Sequence, residues 1–166
     1  MKILYVEDDG IYAWAQAEQA VAIRPDLDFH HGSDYAFTAQ KFREKGPFDL
    51  VISDYRVPGR TPGSNGGADL YQLVAGSVPF LFLSNSAPAK IIADLHKRGL
   101  SIDPQDIFPK SLSSNSLLKV IERAQDKYRI APRRLPGALK PFETSATGGD
   151  PSNIVFGPWP KLAHGS

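Results

Sequence analysis

Four places in this chain carry groups that could do chemistry. Three carboxylates, Glu7-Asp8-Asp9, directly follow the apolar run Ile3-Leu4-Tyr5-Val6. Asp54 ends the most apolar stretch, Phe48-Asp49-Leu50-Val51-Ile52-Ser53-Asp54. Ser84 follows Phe80-Leu81-Phe82-Leu83, and Lys110 follows Asp106-Ile107-Phe108-Pro109. Adjacent carboxylates repel unless they are solvated or neutralised, and a hard cation such as Mg²⁺ takes one or two of them with waters and a phosphate. Each group alone has an ordinary reading too. Acids suit the start of a helix, Asp54 before Pro58 and Gly59 suits a turn, Ser84 suits a cap, and Lys110 suits a solvated surface.

What joins them is the elements that must position them. The pattern alternates short apolar strands with helical segments. Strands are expected at Ile3 to Val6, Leu27 to His30, Leu50 to Ser53, Pro79 to Leu83 and Asp106 to Phe108. Helices are expected from Ile11 to Ile23 with Trp14, Ala17 and Val21 on one side, and after a Ser33 cap in a segment carrying Ala36, Ala39 and Phe42. Further helices follow from Asp69 to Val74, from Ala87 to Arg98, and after a Ser113 or Ser114 cap with Leu117, Leu118, Ile121 and Ala124 inward. Regular alternation implies an α/β fold with a parallel sheet covered on both faces. The runs at Leu50 and Phe80 are apolar throughout, as central parallel strands should be. In such sheets ligands bind beyond the carboxyl ends of the strands. All four groups fall at that end, where charge suits phosphoryl transfer.

Composition sets the outer limits. At 166 residues, 42% hydrophobic and 22% charged, the chain has material for one well-buried core. A net charge of +1 gives no case for bulk electrostatic binding to nucleic acid or membrane. The absence of cysteine excludes disulfides and thiolate metal sites. No apolar run approaches the ~20 residues of a membrane span, and the N-terminus reads as a strand rather than a signal peptide. A soluble, cytoplasmic protein is expected. Residues 129–166 form a second part rich in Pro, Gly, Ser and Thr. Its basic residues (Arg129, Arg133, Arg134, Lys140, Lys161) outnumber its acidic ones, Glu143 and Asp150. That composition suits an extended tail, with Ile154-Val155-Phe156 and Trp159 as apolar spots that could pack back or bind a partner.

Residues 1–128 resemble the receiver domain of two-component response regulators, the CheY-like family. The resemblance rests on Ile3-Leu4-Tyr5-Val6-Glu7-Asp8-Asp9, on Asp49 through Gly59, on Val78-Pro79-Phe80-Leu81-Phe82-Leu83-Ser84, and on Phe108-Pro109-Lys110. It implies a flavodoxin-like doubly wound (βα)5 fold with strand order 2-1-3-4-5. It also implies that Asp54 is the phosphoacceptor for a sensor histidine kinase or phosphotransfer protein. Mg²⁺ would be held by Glu7, Asp8, Asp54 and the Arg56 backbone carbonyl, with Asp8 the more direct of the acidic pair. Ser84 matches the switch hydroxyl and Lys110 the lysine that binds a phosphoryl oxygen. Such a chain is not a turnover enzyme. It assists its own phosphorylation and dephosphorylation, and signals by protein contact to a downstream partner that the sequence does not name. Residues 129–166 match no output domain, so a stand-alone receiver without direct nucleic-acid binding is expected.

The sequence also departs from the family pattern. The switch aromatic, three residues before the lysine, is replaced by Ile107, with Phe108 next and expected to face the other way. Lys-Pro is replaced by Pro109-Lys110-Ser111, Asn85 and Ser86 follow Ser84, and the segments Arg60 to Gly67 and Gly99 to Gln105 are long. A second reading follows: a receiver-shaped binding module that works without phosphorylation. A third, an aspartate-nucleophile phosphatase, needs an acid two residues after the nucleophile, where Arg56 stands.

Overall fold

The structure, a computed structural model, describes residues 1–110 and 114–130. Strands β1 (Lys2–Val6), β2 (Asp28–Gly32), β3 (Leu50–Ser53), β4 (Phe80–Ser84) and β5 (Ile107–Pro109) alternate with five helices. These are α1 (Gly10–Ile23), α2 (Tyr35–Lys45), α3 (Gly66–Val74), α4 (Pro88–Lys97) and α5 (Ser114–Tyr128), and a 3₁₀ turn at Pro104–Asp106 leads into β5. All strand pairs are parallel, in the order β2-β1-β3-β4-β5. This is the α/β flavodoxin-like order that the sequence implied.

Alternation along the strands divides the core in two. Ile3, Tyr5, Leu50, Ile52, Leu81 and Leu83 face α1 and α5, against Ala13, Ala17, Ala20, Leu117 and Ile121. Leu4, Val6, Val51, Phe80 and Phe82 face the other way, against Leu70, Val74, Ile91 and Leu95. Every residue of β3 and β4 is buried. A fully buried Leu, Ile or Phe contributes roughly 1.5–3 kcal/mol, so these strands anchor whatever sits at their ends. Ile107 joins the second cluster and Phe108 packs on the first, so the two do face opposite ways.

Several local expectations are corrected. Of the expected side of α1, Ala17 is buried and Val21 packs partly buried on the core, but Trp14 is 44% exposed, and Ala13, Gln16 and Ala20 complete the buried face. The small alanines let α1 lie close to the sheet, which leaves the bulky indole outside. Helix α2 is capped by Asp34, whose carboxylate accepts from the Phe37 N–H, while Ser33 donates to Asp34. Ala36 lies exposed and Thr38, Ala39 and Lys41 are buried. Helix α3 starts at Gly66, three residues before the expected Asp69. A Cβ on Gly67 would lie 2.3 Å from the Asp54 carbonyl oxygen and one on Gly66 2.3 Å from that of Pro58. The glycine pair is therefore what brings the helix start against the backbone beyond β3, not loop filler.

Helix α5 buries Leu117, Leu118, Ile121 and Ala124 as expected. It ends with Ile130 N–H bonded to Gln125 C=O and Arg129 N–H to Asp126 C=O, with Arg129 at φ 52°. That is a Schellman closure with arginine where glycine is usual. Ser113 and the tail features at Arg133-Arg134, Ile154-Val155-Phe156 and Trp159 lie outside the described residues. Among the described residues no helix is long and apolar enough to cross a membrane.

Candidate functional site

Strand register brings the chemistry together. Val6 pairs with Ser53, so the next residues, Glu7 and Asp54, stand side by side, and the Asp54 N–H donates to the Val6 carbonyl at 2.8 Å. Ser84 pairs with Pro109, and the Lys110 N–H reaches the Ser84 carbonyl at 3.3 Å. Sheet order places β3 between β1 and β4, so Asp54 is the central member. This is the carboxyl edge at which α/β sheets bind ligands.

Lys110 closes the site. Its Nζ donates to Glu7 Oε1 at 2.8 Å and to Asp54 Oδ2 at 3.0 Å. Glu7 is 1% exposed and Asp54 6%, whereas Asp8 is exposed. Carboxylate oxygens of Glu7, Asp8 and Asp54 lie within 4.8 Å of one another. Two buried carboxylates share one ammonium, with exposed Asp8 beside them, and their uncompensated negative charge is costly. Burial pushes the Glu7 carboxyl up to about 7, against the opposing pull of the Lys110 hydrogen bond. Burial alone would lower the Lys110 ammonium, but its bonds to Glu7 and Asp54 outweigh that and keep it firmly protonated. Oxygen-only, incompletely neutralised carboxylates suit a divalent hard cation. The acidic cluster fits Mg²⁺, with Asp8 the member open to solvent.

The remaining candidates fall into place around Asp54. Its Oδ1 accepts from the Arg56 N–H at 3.2 Å, which sets the Arg56 backbone beside the carboxylate. Both oxygens of Asp54 are thus oriented, one by Lys110 and one by main chain. Ser84 is 4% exposed, and its hydroxyl accepts from the Ser86 N–H at 3.2 Å. The Arg56 Nε donates to the Ser86 hydroxyl at 3.1 Å, which ties the β3 and β4 ends together.

Asp9 has a different task from its neighbours. Its carboxylate caps α1 by accepting from the Tyr12 N–H at 3.0 Å. The ordinary reading of acids at a helix start therefore holds for Asp9, and the cation reading suits Glu7 and Asp8. Three contributors escaped sequence reading. The His31 Nε2 lies 2.7 Å from the Glu7 carbonyl oxygen, Ser86 holds Arg56, and the Tyr12 hydroxyl donates to the Lys110 carbonyl. Only Tyr12 left a trace in sequence, as a polar aromatic one turn into a helix that follows a site loop.

No family model and no curated sequence matches the chain. Solved structures do. The non-phosphorylated HemR receiver domain of Leptospira biflexa is 25% identical, with a TM-score of 0.55, over 74% of this chain and 92% of that one. A CheY-like response regulator receiver domain of Methanospirillum hungatei JF-1 is 16% identical, with a TM-score of 0.58, over 77% and 95%. A chemotaxis response regulator of Vibrio cholerae is 20% identical, with a TM-score of 0.57, over 74% and 97%. The chain has the fold of a CheY-like response regulator receiver domain.

Proposed function

We propose that Asp54 accepts a phosphoryl group from a phosphohistidine on a sensor kinase or phosphotransfer protein, and that the phosphorylated protein signals through contact with another protein. The observation that carries this is the Lys110 ammonium seated between Glu7 and Asp54 at 2.8 and 3.0 Å, with oxygens of Glu7, Asp8 and Asp54 within 4.8 Å of one another. An Asp54 oxygen attacks phosphorus, the bond from phosphorus to the donor imidazole breaks, and the imidazole leaves with the electron pair. Lys110, bonded to Asp54 before transfer, would follow the charge from carboxylate to phosphoryl oxygen. Ser84, at the end of the neighbouring strand β4, would donate to a second phosphoryl oxygen.

Glu7, Asp8, Asp54 and the Arg56 backbone carbonyl would hold Mg²⁺, which when bound supplies charge neutralisation for the transferring phosphoryl group. Nothing in this scheme turns over a substrate other than the acyl phosphate itself, so the chain acts as a phosphoacceptor rather than an enzyme. The test is incubation with acetyl phosphate and Mg²⁺ followed by intact mass. One added phosphoryl group is expected in the wild type and none in Asp54→Ala. No gain in the wild type, or an equal gain in the variant, would sink the reading.

One observation favours a second reading, a binding module indifferent to phosphorylation. Ile107 is 8% exposed within the core cluster under α4, with neither a hydroxyl nor a ring to report on Ser84. This reading requires partner capture to survive Asp54→Ala unchanged, and loss of capture in that variant rejects it.

A further inference from the structure

Lys110 must place its ammonium between two buried carboxylates, yet its main chain has little to hold it. Strand β5 ends at Pro109, which has no N–H to give to the ladder. The Lys110 N–H makes a long 3.3 Å bond to the Ser84 carbonyl. The other side of the Lys110 peptide is held from α1, where the Tyr12 hydroxyl donates to its carbonyl. The same Tyr12 ring lies 5.6 Å from the Lys110 Nζ, within reach of a cation–π attraction. One side chain thus touches both ends of the lysine.

The Tyr12 hydroxyl is itself oriented. It accepts from the Gln16 amide nitrogen at 2.8 Å, so its own proton is free to point at the Lys110 carbonyl. The Gln16 oxygen accepts from the Tyr5 hydroxyl at 3.2 Å. Gln16 is 7% exposed and Tyr5 1%. The donors therefore run in one direction, from Tyr5 in β1 through Gln16 and Tyr12 in α1 to Lys110 after β5. A partly buried chain in which every member has a partner resists loosening, because releasing a bond leaves a polar group unpaired. A glutamine at a buried position of a helix otherwise lined by alanine has no packing reason to be there.

We propose that Tyr12, oriented by Gln16, is a positioning residue that sets the reach of Lys110 across Glu7 and Asp54. The inference rests on the phosphoacceptor reading for its consequence, but not for its geometry. Tyr12→Phe keeps the ring and removes the donor, and Gln16→Met keeps the volume and removes the orienting amide. Each is made in the full chain, checked for an unchanged melting temperature or circular dichroism spectrum, and assayed for Asp54 phosphorylation by acetyl phosphate. Loss of one oriented hydrogen bond predicts a slowing of roughly three- to tenfold for Tyr12→Phe and a smaller slowing for Gln16→Met.

A double-mutant cycle separates positioning from general structural damage. In a Lys110→Ala background, Tyr12→Phe should slow the reaction less than twofold, since no ammonium remains to misplace. Equal slowing in both backgrounds, or none in the wild-type background, overturns the proposal. The ¹⁵Nζ–¹H signal of Lys110 gives a readout that needs no phosphorylation. It is expected in the wild type, where the ammonium is held against exchange, and weakened in Tyr12→Phe. If the wild type takes no phosphoryl group, this signal still decides: its dependence on Tyr12 upholds the positioning role, and its indifference to Tyr12 rejects it.

Discussion

At the scale of the residue, Glu7 is the most telling group. It is buried beside Asp54, and its folded carboxyl titrates near 7 rather than near 4.5. Between those values the native protein keeps a proton that the unfolded chain has lost. Stability from this group is therefore highest at the low end of that window and falls as pH rises towards 7. Glu7→Gln removes the titration. Urea unfolding without divalent cations, from pH 5 to pH 8, should show the wild type losing about 1–3 kcal/mol more than the variant. Parallel profiles for the two proteins would mean that Glu7 is not held in a costly charged state. The same burial explains why a lysine at 110 is required, since removing it leaves two buried carboxylates without their shared donor.

At the scale of the element, α4 is lightly attached. It has no side-chain cap, begins with Pro88 in the first turn, and buries only Ile91 and Leu95. Ile92 packs partly buried against the core, and polar bonds add to the attachment. The Tyr55 hydroxyl donates to Asp94 at 2.6 Å and accepts from Asn65 at 3.0 Å. Arg98 joins Asp69 at 2.7 Å, and Asp69 in turn accepts from Ser64 and the Arg60 N–H. Burial and the adjacent Asp94 keep the Tyr55 phenol protonated, so it remains a donor at any working pH. The long loop after Asp54 is therefore folded by hydrogen bonds and fastened to α4. Tyr55→Phe should cost about 1–2 kcal/mol and speed hydrogen exchange in Pro88–Lys97 and in residues 57–67. Exchange in β1 and β3 should not change. Unaltered exchange in α4 would show that the helix does not depend on this fastening.

At the scale of the whole molecule, the proposed cation binding would be linked to folding. The cluster exists only when β1 and β3 are paired, so Mg²⁺ held there as proposed would bind the native state and not the unfolded chain. At a hundredfold excess over its dissociation constant it should add about 3 kcal/mol of stability. The gain should be larger at pH 8 than at pH 6, because the proton on Glu7 must leave first. Asp8 is exposed, so Asp8→Asn should fold normally and lose most of this gain. Thermal melts of the two proteins with and without Mg²⁺ measure both effects, and an equal gain in the variant would take Asp8 out of the site.

Sequence alone located the strands to within one or two residues, with their parallel arrangement and the four groups at their ends. Apolar runs of four or five residues and residues of fixed type at their ends are local signals. Glu7, Asp54, Ser84 and Lys110 were legible because one sheet edge must collect them. The helix caps and starts were less so. Asp34 rather than Ser33 caps α2, and Gly66-Gly67 begins a helix that composition assigned to a loop, because a close backbone approach shows only when the partner backbone is in place. The exposure of Trp14 had the same cause. Tertiary structure alone decided that Asp9 caps while Asp8 stays open, and that Lys110 rests on Tyr12 and Gln16. The bond from Tyr12 to Lys110 joins residues 98 positions apart in the chain. Such bonds depend on direction and distance, which residue type and spacing do not encode.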